Sequence, residues 1–280
     1  MNNIALLIPH FNNPIGIVTS LQSINETEKI DVVIVDDGSI EKIDELACVQ
    51  AFKGSGNIKF LYLEQNQGIE HALNHGLEYI VDNGYQYTAR LDAGDICIGK
   101  RFAIQYDFLM KHPSIKLLGT NADAHDINGK FLFKYDFPLK HDEIKKKISV
   151  NAVFVHPSIM FNNNILDVVG YYPVHYKAAE DFAFTTNIVK HFETANLSDS
   201  LIHVEINEGG ISLTRRKQQI MSRMKVIWDN FYLGYYPIYG LFRNLILYLV
   251  PDQLTFFVKK IKNQMLYRQN DERKLDEREN

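Results

Sequence analysis

Short apolar runs rich in β-formers recur along the first 120 residues, at 4–8, 32–35, 58–63, 87–91 and 115–118, with helical patterns between them. Alternation of this kind predicts successive β-α-β units and an α/β fold with a mainly parallel central sheet flanked by helices. After the turn at Asn66-Gln67-Gly68, residues Ile69, Ala72, Leu73, Gly76, Leu77 and Ile80 fall at helical spacing, so one helix face packs on the sheet. Phe102, Tyr106 and Leu109 predict a second such face, ending near His112-Pro113, where proline disfavours helix in the residue before it. Beyond Asn121 the pattern is less regular. Asp126-Ile127-Asn128-Gly129-Lys130 predicts a hairpin turn between Asp123 and the aromatic run 131–135, and with it a change in sheet architecture. From Arg215 onward strand patterns give way to helical ones, marked by Met221, Met224, Ile227, Trp228 and Phe231. The expected organisation is an α/β domain over 1–215, a helical region over 216–268 and a polar, solvated tail over 269–280.

Composition narrows the class. A hydrophobic share of 46% in 280 residues supports a sizeable packed core, and a net charge of -4 argues against nucleic-acid binding. Cys48 and Cys97 stand alone, without zinc spacing or a disulfide framework, which fits a reducing cytoplasm. The N-terminal residues lack a basic region and a long apolar core, so a signal peptide is not expected. No run reaches the roughly 18 to 20 apolar residues of a spanning helix. The expected location is the cytoplasm, with peripheral attachment to the membrane's inner face considered below.

In open α/β sheets, ligands gather outside the carboxyl ends of the strands. Three polar segments meet that description: Pro9-His10-Phe11-Asn12, Asp36-Asp37-Gly38-Ser39, and Asp92-Ala93-Gly94-Asp95. One acidic turn alone is commonly a helix cap, whereas three at corresponding strand ends favour a site. Neither a G-x-G-x-x-G fingerprint nor a P-loop is present to hold phosphates. Carboxylates can do so through Mg²⁺ or Mn²⁺, hard ions that bridge phosphate oxygens, and Asp92 and Asp95 are the candidate ligands. Later in the chain, Glu180-Asp181 adds a second carboxylate pair after the turn at His156-Pro157.

At this point the chain resembles the family 2 glycosyltransferases, inverting enzymes of the GT-A (nucleotide-diphospho-sugar transferase) fold, particularly bacterial members that build surface polysaccharides. The resemblance runs from Ile4 to about Ser212. It rests on the order of Ile8-Pro9-His10-Phe11-Asn12, Val35-Asp36-Asp37-Gly38-Ser39, Asn66-x-Gly68 with Ala72-x-Asn74-x-Gly76, Ala89-Arg90-Leu91-Asp92-Ala93-Gly94-Asp95, His156-Pro157-Ser158-x-Met160-Phe161 and Ala179-Glu180-Asp181. The resemblance implies that Pro9, Phe11 and the Asp36-Asp37 pair line the nucleobase and ribose pocket, with Asn66, Gly68 and Arg90 also on the donor side. Asp92 would contact the ribose or the metal-bound diphosphate, and His156 would face the diphosphate or the acceptor. Asp181 would be the general base, and Glu180 would orient a sugar.

Two departures from the family pattern matter. Gly94 stands where a second carboxylate is usual, which leaves Mn²⁺ or Mg²⁺ dependence open, with Asp95 as a substitute ligand. The segment after the last strand, Glu205-Ile206-Asn207-Glu208-Gly209-Gly210, lacks the Arg or His that helps relatives hold phosphate; Arg215 and Arg216 are the replacements, or else simply solvated. The implied reaction moves a sugar, UDP-hexose favoured, to a saccharide or lipid-linked acceptor in capsule, O-antigen or lipooligosaccharide synthesis. A dTDP-rhamnose donor, and a non-catalytic sugar-nucleotide-binding subunit, are the alternatives. The apolar, tyrosine-rich run 235–250, followed by Lys259, Lys260 and Lys262, suits a helix at the lipid headgroups, a cover for the catalytic domain or a homodimer contact.

Overall fold

The computed structural model describes residues 3–206 and 215–250. Four strands alternate with helices through the first third: β1 (Ile4–His10), α1 (Pro14–Gln22), β2 (Asp31–Asp36), α2 (Glu45–Ala51), β3 (Ile58–Tyr62), α3 (Ile69–Asp82) and β4 (Tyr87–Arg90). β5 (Ile96–Cys97), α4 (Arg101–Lys111), β6 (Ile115–Asp126), β7 (Phe131–Tyr135), α5 (His141–Lys147), β8 (Met160–Asn162) and α6 (Leu166–Val169) follow. The described part closes with α7 (Glu180–His191), β9 (Glu193–Ile206), α8 (Arg216–Asp229) and α9 (Tyr235–Leu249). Residues 207–214, the part of the expected helical region beyond 250 with its lysine cluster near 260, and the polar tail lie outside the described residues.

The nine strands among the described residues form one sheet of order β3-β2-β1-β4-β8-β6-β9-β5, with β7 paired to β6. The β3-β2-β1-β4 portion is parallel, as the alternating pattern predicts, and β6 also runs parallel to β9. β8 inserts antiparallel between β4 and β6, while β7 and β5 pair antiparallel with β6 and β9. β6 and β7 form the hairpin expected around 126–130.

β1 shows how the sequence covers both faces. Ala5 and Leu7 join one core with Leu73, Leu77 and Ile80 of α3; Leu6 and Ile8 join another with Ile17 and Leu21 of α1. Period-two alternation in a strand with helices on both sides leaves no polar face, so the run is continuously apolar. At Gly76 a Cβ would stand only 2.2 Å from Leu7 Cδ1, so α3 approaches the sheet more closely than a side chain permits. α8 contributes Val226 and Ile227 to the α3-side core, and the close approach of Gly240 in α9 to Ser149 O seats the second C-terminal helix.

Candidate active site

The strand ends of β1, β2 and β4 meet at one edge of the sheet, and local hydrogen bonds fix their loops. Asn13 caps α1 by accepting from Gly16 N at 3.0 Å and donates to Ala93 O at 3.0 Å, linking the first loop to the acidic turn. Ser20 Oγ donates to Asp95 O at 2.8 Å and accepts from Gly94 N at 3.0 Å, so α1 holds the turn from below. Gly94 adopts φ +111°, a conformation side chains resist. The missing carboxylate at this position therefore coincides with a backbone shape that suits glycine.

Most of the first two motifs serves the scaffold. Pro9 is buried in β1 opposite Val35, whereas Phe11, 48% exposed, faces open space. Asp36 accepts from Ser39 N at 2.9 Å and lies 3.5 Å from His10 Nδ1. Asp37 accepts from Gln67 N at 2.8 Å, Gly68 N at 2.9 Å and Asn66 Nδ2 at 2.9 Å. The structure thus brings Asp37, Asn66 and Gly68 together as a loop clasp, with the Asp36 and Asp37 carboxylates both buried.

Arg90 is buried and donates to Leu7 O at 2.7 Å, Leu91 O at 3.1 Å and Asp92 Oδ1 at 2.6 Å. Arg101 supports it from α4, donating to Arg90 O at 2.7 Å. The Asp92 carboxylate, 40% exposed, is thereby presented at the surface by a buried cation. Asp95 is only 4% exposed; its Oδ1 accepts from Glu205 N at 2.9 Å, and its Oδ2 meets no partner among the described residues. Burial and the Asp92 charge push Asp95 well above the ordinary carboxylate range.

Glu180 and Asp181 open α7, where its dipole favours negative charge. They also face Asp92, whose charge acts on both. Burial, then the Asp181 charge, pushes Glu180 up to about 8. Burial also raises Asp181, but the Arg223 guanidinium and the 2.7 Å bond from Phe182 N pull the other way.

His156 Nε2 lies 2.7 Å from Tyr172 OH, and Tyr172 stacks on Phe184 at 4.1 Å. Burial and Arg90 hold His156 well below its ordinary value, so its ring is neutral. Arg215 is exposed at the N-cap of α8; the cation from this helix that acts on Asp181 is Arg223, eight residues on.

Sequence reasoning missed four contributors. Arg223 is held over the Phe182 ring at 5.9 Å. Lys177 pairs with buried Glu70 at 2.6 Å. Tyr172 is fixed by Asn74, which accepts from Tyr172 N and donates to Tyr172 O, each at 2.8 Å. Only Asn74 carried a signal, lying within a quoted motif; the others depend on distant segments meeting.

Among the described residues no three His, Cys, Asp or Glu side chains converge as a ready-made cation site. The donor chemistry nevertheless fits a hard cation bound partly by substrate: the exposed Asp92 carboxylate and the orphaned buried Asp95 Oδ2 are oxygen donors. A concavity of about 430 Å³ bordered by Phe108, His141 and Thr194 lies at the opposite, amino ends of β6 and β9 and shares none of these residues.

Solved structures share this fold. Staphylococcus aureus TarS 1–349 in complex with UDP-GlcNAc superposes with a TM-score of 0.61 at 17% identity, covering 89% of this chain and 72% of that one. A Pyrobaculum calidifontis mannosyltransferase in complex with GDP-Man and Mn²⁺ superposes at 0.59 with 13% identity, covering 93% and 73%. These likenesses establish the GT-A fold. In sequence, the chain is 28% identical over 165 residues to the amylovoran biosynthesis glycosyltransferase AmsE of Erwinia amylovora, covering 59% of this chain and 60% of that protein. It is also 28% identical over 175 residues to an Escherichia coli UDP-Gal:alpha-D-GlcNAc-diphosphoundecaprenol beta-1,3-galactosyltransferase, covering 61% and 62%. The alignments thus span about three-fifths of the length of these two relatives. A family model, Glycosyl transferase family 2, matches residues 5–168, more than half of the sequence, and the chain belongs to that family.

Proposed function

We propose that the chain is an inverting glycosyltransferase that moves a hexose from a UDP-sugar to a saccharide or lipid-linked acceptor in surface-polysaccharide synthesis. The observation carrying this reading is the gathering of Asp92, Glu180 and Asp181 on one side of the sheet, with the Arg223 guanidinium acting on Asp181 and the Glu180 carboxyl buried. The UDP-GlcNAc complex of TarS and the UDP-Gal donor in the E. coli relative's name favour uridine diphosphate over the alternatives.

In this mechanism the Asp181 carboxylate takes the acceptor hydroxyl proton as that oxygen attacks C1 of the donor sugar. The bond from C1 to the phosphate oxygen breaks on the opposite face, and the nucleoside diphosphate leaves with the electron pair. One displacement inverts the anomeric carbon, so a second nucleophilic carboxylate is unnecessary. Glu180, carrying its proton, donates a hydrogen bond to a sugar oxygen. Phe11 offers an exposed ring to the base, and Asp92, fixed by Arg90, reaches the ribose or the diphosphate side. A divalent cation held by Asp92 and Asp95 would supply charge neutralisation for the departing diphosphate.

The C-terminal helices supply a second element of this reading. One face of α9 packs through Pro237, Gly240 and Asn244, while Tyr235, Ile238, Phe242 and Leu249 stand exposed. Residues 215–250 carry Arg215, Arg216, Lys217, Arg223, Lys225 and Arg243 against Asp229 alone, in a chain of net charge -4. Of these cations Arg215, Lys217 and Lys225 are exposed, and with the bare aromatic side of α9 they suit peripheral contact with an anionic membrane, where a lipid-linked acceptor resides. No helix among the described residues is long and apolar enough to cross a membrane.

Thermal-shift titration with UDP, dTDP and GDP, each with and without Mn²⁺, tests the donor assignment. A ligand at about 100 times its Kd adds roughly 2.7 kcal/mol of stability. UDP is expected to stabilise most, and indifference to all three nucleotides would sink the proposal.

A further inference from the structure

We propose that Lys177 is a positioning residue for the Asp181 carboxylate: its ion pair with Glu70 holds a strained turn from which α7 begins. The inference rests on the sugar-transfer reading above and adds to it a pair that acts through the backbone and not on the substrates.

Residues 170–179 form neither helix nor strand, so the start of α7 depends on how this segment is fastened. Its last turn, Tyr176-Lys177-Ala178-Ala179, is closed by Ala179 N donating to Tyr176 O at 3.0 Å. Ala178, at the third position, has φ +59°. Glycine or asparagine normally takes that place, because a Cβ crowds the backbone there. Asn12 is the other non-glycine residue of positive φ among the described residues, and its side chain suits that conformation where alanine's does not. Such a conformation persists where surrounding contacts over-determine it. Ala179 then stands at the N-cap of α7 without a side-chain hydrogen bond, so the cap itself supplies no lock.

The contacts come from α3 and α8. Glu70 and Asn74 lie one turn apart on the same face of α3. Asn74 grips both backbone groups of Tyr172, and Glu70 Oε1 meets Lys177 Nζ at 2.6 Å. Tyr176 OH donates to Asp229 Oδ2 at 2.7 Å, and Lys225 Nζ lies 5.2 Å from the Tyr176 ring centre, which ties the turn to α8. The Glu70 side chain is 7% exposed and that of Lys177 49%. A buried carboxylate draws its cation in from solvent, so the pair pulls the turn onto α3. Glu70 also stands in the first turn of α3, two residues after Gly68, whose amide donates to Asp37. Lys177 therefore connects the Asp37 clasp to the helix that carries Asp181.

The test is nucleoside diphosphate release by the full chain from UDP-, dTDP- and GDP-hexoses, with water as acceptor, alongside nucleotide affinity by calorimetry. Lys177→Met is expected to lower kcat by about tenfold or more, with KM and nucleotide affinity within about twofold of wild type. Lys177→Arg keeps the charge and should return kcat to within about threefold of wild type. Adding Ala178→Gly to Lys177→Met should regain about threefold or more, because glycine holds a positive φ without the ion pair. Lys177→Met leaves Glu70 buried without its cation, so Glu70→Gln with Lys177→Met is measured too; it removes both charges, and the same fall in kcat is expected. A kcat within about twofold of wild type in that double variant would overturn the proposal. So would a loss confined to KM or nucleotide affinity, which would put Lys177 on the substrate. No recovery in either Lys177→Arg or the Ala178→Gly combination would also overturn it, leaving the pair a plain stabiliser of the fold. Wild-type release with unchanged variants removes the positioning role alone, whereas no release by wild type from any donor removes the sugar-transfer reading as well.

Discussion

Replacing Glu180 with Gln separates protonation from shape, because the two side chains are nearly isosteric and only Glu can ionise. Glu180 is 8% exposed, and its Oε2 is buried without a partner among the described residues. In the folded chain its proton is held up to about 8 against an ordinary 4.5. Between those values the folded state binds more protons than the unfolded state, so stability falls as pH rises through the window. The contribution is fully present below about 4.5 and lost above about 8. At about 1.4 kcal/mol per factor of ten, the ceiling is roughly 5 kcal/mol, and sharing of the proton with Asp181 brings the expected effect to about 2–3 kcal/mol. Gln removes this dependence. Melting curves of both proteins at pH 5, 6, 7, 8 and 9 should therefore diverge, with the variant gaining about 3–5 °C on wild type between pH 5 and pH 9. Any pH-independent offset reports the carboxamide's own packing. A difference that stays constant across the series, or grows toward acid pH, would refute the assignment of a retained proton to Glu180.

Three further substitutions test other parts of the site. Arg223→Met removes the cation that lowers Asp181, so the acid limb of the pH–rate profile should move up by about one pH unit, and Arg223→Lys should restore part of the shift. Asn74→Ala deletes both bonds to the Tyr172 backbone and should cost about 1–3 kcal/mol in urea denaturation; an unchanged midpoint would deny the clamp. Asp37→Ala leaves Gln67 N and Gly68 N without their acceptor and should cost roughly 2–4 kcal/mol, where loss of nucleotide binding with full stability would instead indicate direct ligand contact.

The parallel core was legible because its strands are buried on both faces, so 4–8 and 32–35 read as unbroken apolar runs. β9 was not, because its burial changes along its length: Ala195 and Ile202 are buried, but Asp199 is exposed, and the polar stretch hides a 14-residue strand. β8 spans three residues and is defined by its neighbours β4 and β6, not by its own pattern. At the site, the carboxylates were visible as strand-end motifs, yet sequence could not tell exposed Asp92 from buried Asp36, Asp37 and Asp95. That distinction depends on which backbone amides each carboxylate meets. Arg223 and Lys177 were illegible because a surface lysine or arginine on a helix looks the same whether or not the fold carries it to an acid.

The central claim is that Asp181 activates an acceptor against a nucleotide sugar, and nucleoside diphosphate release tests it most directly. Wild type and Asp181→Asn are incubated separately with UDP-, dTDP- and GDP-hexoses, water standing in for the acceptor, and the diphosphate is quantified by chromatography. The account predicts that wild type consumes the UDP-sugar and that Asp181→Asn lowers the rate by about 10²–10⁴-fold with nucleotide stabilisation unchanged. Turnover by Asp181→Asn within a few-fold of wild type, or no donor consumed by wild type, would contradict it.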